Sequence, residues 1–341
     1  MLGTGLALLA TIAVQIPQQS GTTTEFRGLH AANDRVVWAT GRNGVFTRTI
    51  DGGATWVADS IPGADSLFLV DVHATSATVA CVLGTNFNGG HARIFRTDDG
   101  GRSWETAFDV RHPEVFLDGL AFWNERYGLV FGDQVDGAFF IARTEDGCRS
   151  WTVVPRDHLP PARAREAGFA ASGTAIAVAD ETCGWIGLGG GTTARVLRTT
   201  DRGVTWTAHE TPLPAGASAG IFGIAFHDAR NGIAVGGDYT QPTTRSDNVM
   251  QTADGGETWR IVGSSAPAGV RWGVAAIPGM PAWYLATGPA GYGLTADGGA
   301  SWVAIDTASV NTAAAAVGGV AWVAGRAGRI LKVIVEDGRE R

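Results

Sequence analysis

Ten side chains in this chain of 341 residues could form a binding or catalytic site: Arg27, Asp71, Asp118, Asp133, Asp136, Glu166, Arg195, Asp238, Tyr239 and Arg271. The guanidinium groups of Arg27, Arg195 and Arg271 are planar and forked, and suit a carboxylate. The acids could act in pairs, one protonating a leaving group and the other serving as base or nucleophile, which is how glycosidic bonds are cleaved. The same groups could bind a small molecule, a carbohydrate or a protein segment. They could equally pair with one another as structural ion pairs. Their spacing alone does not separate these readings.

Other chemistries find less support. Net charge is −7 and no basic run occurs, so a surface for nucleic acid, which depends on clustered Lys and Arg, is not expected. The histidines, from His30 and His73 to His227, are scattered and read as structural. No His/Cys group has zinc spacing. Gly189–Gly191 reads as a turn, because no helix follows to hold a phosphate, and no cofactor is expected. Cys81, Cys148 and Cys183 are an odd, sparse set, which does not read as a disulfide framework. Cys81 and Cys183 lie in apolar runs and are expected to be buried as small hydrophobes.

The elements that must position the ten come from a repeat. The pattern T-x-D-x-G-x-[ST]-W occurs six times, with Asp51 and Trp56, Asp99 and Trp104, Asp146 and Trp151, Asp201 and Trp206, Asp254 and Trp259, and Asp297 and Trp302. The tryptophans are 43 to 55 residues apart, a period that signals a propeller or solenoid. Each unit reads as four short strands bounded by Gly, Asn and Asp, with the motif turning between the third and fourth. The Asp is expected to accept hydrogen bonds from its own turn, the Gly to permit positive φ, and the Trp to pack between neighbouring sheets. Calcium is a poor fit, since each turn offers one or two carboxylates where the ion takes six to eight oxygens. Two turns are expected to deviate: the third has Cys148 at the Gly position, and the fourth has Arg202 before Gly203.

A seventh unit, from Val310, has three strands and no motif. The segment 15–25 is a spare strand that would complete it and close the ring, removing exposed edges. The chain is therefore predicted to be all-β, a seven-bladed propeller of four-stranded antiparallel blades, with six blades as the alternative. Arg27, Asp71, Asp118, Glu166 and Arg271 fall at innermost strands, with 168–175 taken as the first strand of the fourth unit. The long loops 155–168 and 236–248 fall on the same face, where loops on a rigid scaffold often carry function.

The motif resembles the Asp-box, or BNR repeat, of sialidases, other glycoside hydrolases and the photosystem II stability/assembly factor family. Six copies cover nearly the whole chain. Arg27-Gly28-Leu29, 166–172 and Gly236-Gly237-Asp238-Tyr239 look most similar to assembly factor-like proteins. That resemblance implies a non-catalytic propeller with a protein partner, or a small-molecule or carbohydrate ligand in its central funnel, on the face away from the boxes. The alternative it implies is a sialidase-like hydrolase, with Arg27, Arg195 and Arg271 as an arginine cluster and Tyr292 near a nucleophile position. Residues 1–13 resemble a secretory signal peptide, apolar but without a preceding Lys or Arg, so 14–341 is expected to be one exported domain, periplasmic or extracellular. The apolar run is too short to span a membrane, and a monomer is expected.

Overall fold

The repeated turn builds the architecture. In every copy the first Thr hydroxyl donates to the Asp at 2.7–2.9 Å. The same hydroxyl accepts the backbone N–H of the fifth residue at 2.9–3.0 Å. The Asp also accepts the N–H of the seventh residue at 2.9–3.0 Å. Its other oxygen takes that residue's hydroxyl. The turn is thus closed by side chains, which explains why Thr and Ser/Thr recur beside the Asp.

The computed structural model describes residues 12–336. It contains seven four-stranded antiparallel sheets. Blades 1 to 6 each run inner to outer strand in chain order, beginning at Phe26–Ala31, Phe68–Ala74, Leu117–Phe122, Ile176–Ala179, Ala219–Phe226 and Gly273–Ala276. Blade 7 begins at Thr312–Ala316 and ends on the N-terminal strand Ile12–Pro17, which pairs with Ile330–Glu336. The ring is closed as expected, although the closing strand starts at Ile12, earlier than the spare segment 15–25. Of the leader read at 1–13, residues 1–11 lie outside the described ones, and Ile12 and Ala13 already belong to this strand. Among the described residues no helix is long and apolar enough to cross a membrane.

The fifth residue of each box faces the preceding blade. A side chain at Gly53 would meet Trp322, at Gly101 Phe46, at Gly203 Leu129, at Gly256 Trp185 and at Gly299 Ile233. Glycine is required there twice over, by positive φ and by close approach. The box Trp follows the same rule: Trp56 packs on Trp322 at 5.8 Å and Trp104 on Phe46 at 5.2 Å.

Two expectations are corrected at this position. The third and fourth turns do not deviate: Cys148 adopts φ 70° and Arg202 φ 59°, and the hydrogen bonds are kept. The cysteine side chain enters the preceding blade, where the other copies need a glycine, and bonds to Cys81 across a Cα–Cα distance of 6.2 Å. Cys81 and Cys148 are therefore a disulfide between blades 2 and 3, not isolated small hydrophobes. The spacing did not reveal it because the partners meet only through blade packing. Cys183 remains a free thiol.

The bond links residues 67 apart in sequence, a loop whose closure stabilises by about 4 kcal/mol in the chain-entropy account. Replacing both Cys81 and Cys148 by Ala is expected to lower the urea midpoint measurably. An unchanged midpoint, with the wild type checked as oxidised, would show that the link adds nothing.

The boxes also set an acid limit. Hydrogen bonds from the seventh residue, first from its hydroxyl, hold Asp51, Asp99 and Asp254 down at about 2. A depressed carboxyl stabilises the fold above its unfolded value of about 4, and that contribution is lost as pH falls through the folded value. Thermal melts are therefore expected to drop between about pH 4 and 2, and Asp99→Asn to remove part of that slope. Identical slopes in the two proteins would refute the assignment.

Candidate functional site

The face opposite the boxes carries a cavity of about 530 Å³ in the centre of the ring. Its construction begins with a repeated irregularity. The inner strands of blades 1, 3 and 5 bulge beside Gly28, Gly119 and Gly223. A bulge re-aims the neighbouring side chain. The residue before each of these glycines, Arg27, Asp118 and Phe222, lines the cavity, as do Trp272 before Gly273 and Asn311 before Thr312. One residue from each of five blades thus lines the funnel. Sequence inspection picked out Arg27 and Asp118 and missed Phe222, Trp272 and Asn311. The available signal was the residue ahead of the inner-strand glycine.

Blade 4 departs from this plan. Its first strand is Ile176–Ala179, not 168–175. Residues 168–171 line the funnel instead, and Gly173–Ala175 form a single 3-10 turn. That turn touches the inner strands of the other six blades and plugs the channel. Ser172 Oγ donates to Trp272 O at 2.7 Å, and Thr174 Oγ1 accepts the Val274 N–H at 3.2 Å. The plug fits because small residues surround it: a side chain on Gly223 would meet Thr174 at 2.9 Å, and one on Gly173 would meet Asp71 at 2.1 Å. The funnel is therefore blind.

Four of the ten candidates line this funnel: Arg27, Asp118, Asp133 and Tyr239. Asp71 lies beneath the plug, buried, accepting the Val72 and Leu120 N–H groups at 2.8 Å. Burial pushes its carboxyl well above the usual range. Asp136 sits on the rim, 3.5 Å from His112 and 3.6 Å from Arg156. Asp238 caps its own turn through Thr240 at 2.7 and 2.9 Å. Arg271 is fully buried and donates to the carbonyls of Gly269, Gly291 and Ala268. Arg195 is gripped bidentately by buried Glu166.

The proposed arginine cluster is thus not assembled. Arg195 and Arg271 are consumed by structural partners, and Arg27 donates to Ala170 O at 2.6 Å. Tyr292 is buried and donates to Gln15 at the ring closure. Trp272 lines the funnel, whereas Trp123 donates to Cys183 O at 2.7 Å outside it.

The funnel has two chemically distinct sides. On the side of blades 1 and 7, Glu25 is approached by Arg42 at 2.9 Å, Arg27 at 3.7 Å and Arg326 at 3.8 Å. One carboxylate among three guanidiniums leaves positive charge in excess. Burial, and then Arg42 and Arg326 working against Glu25, bring Arg27 down to about 10. Arg27 also lies over Phe68 and Phe87 at 4.9 and 4.8 Å. Around the remaining wall Phe169 stacks on Phe222 at 4.0 Å, with Tyr239 edge-on to both. Asp118 and Asp133 complete it.

A second cavity, about 520 Å³, lies between the boxes of blades 5 and 6. Its acids Asp228, Asp254 and Asp297 are occupied in their own turns. Among the described residues no three His, Cys, Asp or Glu side chains gather as a metal site would need.

The fold and this mouth define a seven-bladed β-propeller with a blind, one-sided funnel. No protein-family model matches the chain, and no curated protein matches it. Among solved structures, YCF48 bound to a D1 peptide superimposes with a TM-score of 0.65 at 15% identity, over 95% of this chain and 97% of that one. The GH74 xyloglucanase from Xanthomonas campestris gives a TM-score of 0.65 at 18% identity over 93% of this chain, which spans 53% of the enzyme. The WD40 propeller domain of Doa1 gives 0.63 at 12% identity over 98% of both chains. At these identities the likenesses establish the shared fold.

The Glu166–Arg195 pair holds the segment that floors the funnel, since Glu166 also accepts the Arg163 N–H at 2.7 Å. Glu166→Gln would leave a buried guanidinium unpaired, at a cost of about 3–5 kcal/mol. Urea unfolding is expected to show a loss of that size, smaller in the double variant Glu166→Gln/Arg195→Met. A single-variant loss under about 1 kcal/mol would contradict the buried-pair account.

Proposed function

We propose that this propeller is a non-catalytic protein-binding module that takes an extended segment of a partner into its blind funnel, as an assembly or stability factor does. One observation carries this reading: a single face gathers one side chain from each of five blades, and they are aromatic, cationic, anionic and amide. Such a mixed lining suits a polypeptide, which offers apolar side chains and charges together. The solved complex of a propeller with a peptide supports it by analogy of fold. The excess guanidinium charge at Arg27, Arg42 and Arg326 would receive a carboxylate of the segment. The hydrolase alternative loses the cluster of Arg27, Arg195 and Arg271 on which it was read, since structural partners hold Arg195 and Arg271.

Export is part of the proposal. The Cys81–Cys148 bond supports an oxidising compartment, where disulfides persist, and the apolar sequence ahead of Ile12 supports a leader.

A displayed library of random octapeptides, sorted against the full chain, tests the reading. Binders are expected, and Arg27→Ala and Trp272→Ala should each weaken them by about tenfold or more, with the rim variant Asp136→Ala unaffected. Failure to recover any binder, or binders indifferent to both funnel variants, would sink it.

A further inference from the structure

Asp118 is the one funnel residue whose presence the fold does not explain. It is 1% exposed, and neither carboxyl oxygen has a hydrogen-bond partner. The Ala170 amide faces it without completing a hydrogen bond. A buried polar group left in this condition costs folding free energy and calls for a reason.

Its neighbour supplies one. Asp133 accepts the Gly168 N–H at 2.9 Å, and a side chain on Gly168 would lie 2.7 Å from Asp118 Oδ2. The two carboxyls therefore converge on one glycine, from two adjacent strands of the same blade. Asp133 is half-buried and reaches the cavity, with Asp118 behind it. Among the described residues no Arg, Lys or His pairs with either. Burial raises both above the usual carboxylate range, Asp133 to about 6, a shift that an incoming cation would oppose.

The surroundings specify the cation. Phe169, Phe222, Trp272 and Tyr239 line the same cavity, and aromatic faces attract organic cations. They offer no ligands to a metal, which would need several further oxygens. We propose that Asp133, backed by Asp118, is the seat of a cationic nitrogen group, an ammonium or guanidinium, carried by the funnel's ligand. On the peptide reading above, on which its source rests, this group is a Lys or Arg side chain of the bound segment. A free alkylamine is the other source of the same chemistry.

The test has two arms on the full chain. In the first, NMR titration compares butylammonium and butylguanidinium with butanol, a neutral analogue of similar size. The cations are expected to shift funnel resonances that butanol leaves in place. Asp133→Asn should weaken them by about tenfold, and Asp118→Asn by less. In the second arm, octapeptides selected on the wild type are expected to be enriched in Lys or Arg, and those selected on Asp133→Asn are not. Near-UV circular dichroism checks that both variants keep their packing, and the comparison of cation with butanol needs no variant. If cations bind through Asp133 and no peptide is recovered, the seat stands and the peptide reading falls. Peptides recovered without basic enrichment, together with cations no better than butanol, overturn the seat and leave the peptide reading intact. Basic peptides that bind while free cations do not support the seat as a side-chain subsite. Silence in both arms overturns it.

Discussion

Everything in this molecule depends on how one blade docks on the next. The box turn fixes the geometry by spending its Thr, Asp and Ser/Thr side chains on its own backbone. That leaves the fifth residue and the Trp pressed into the preceding sheet. The apolar clusters accordingly span adjacent blades, as where Leu129 and Phe131 of blade 3 pack with Ile186 and Trp206 of blade 4. A propeller has no central core, so these interfaces supply most of its apolar burial. Where the fifth residue is Cys148, the same contact becomes covalent.

The ring that results creates the site indirectly. Seven inner strands converge too closely for large side chains at every level, so glycines and bulges accommodate them. The bulge then turns the preceding residue toward the axis. Blade 4 surrenders the start of its inner strand to make the plug, and Glu166 and Arg195 brace the segment that does so. Funnel and channel are separate because of this one local exchange of strand for turn. The same exchange places Gly168 between Asp118 and Asp133.

The architecture was legible because its signals are local and repeated. Asp51 and its five counterparts act within eight residues, so their hydrogen bonds could be anticipated from spacing. The incomplete seventh unit announced the closing strand. The funnel was legible only in part. Arg195 and Arg271 looked as available as Arg27, because type and approximate depth cannot reveal that Glu166 or three backbone carbonyls already hold them. Phe222 and Asn311 were overlooked because an apolar or amide side chain at the head of a strand carries no mark of its own, and only its place in the ring shows that it reaches the axis.

The sequence by itself determined the fold class, the blade count and the way the ring closes, since each follows from short-range hydrogen bonding and strand alternation repeated around the chain. The tertiary structure decided the rest. It joined Cys81 to Cys148, plugged the channel with Gly173–Ala175, withdrew six of ten candidates from the funnel and set Asp118 behind Asp133. Most of these are contacts between residues of different blades or of distant parts of one blade. They depend on how rigid sheets approach one another, which side-chain type and spacing do not encode.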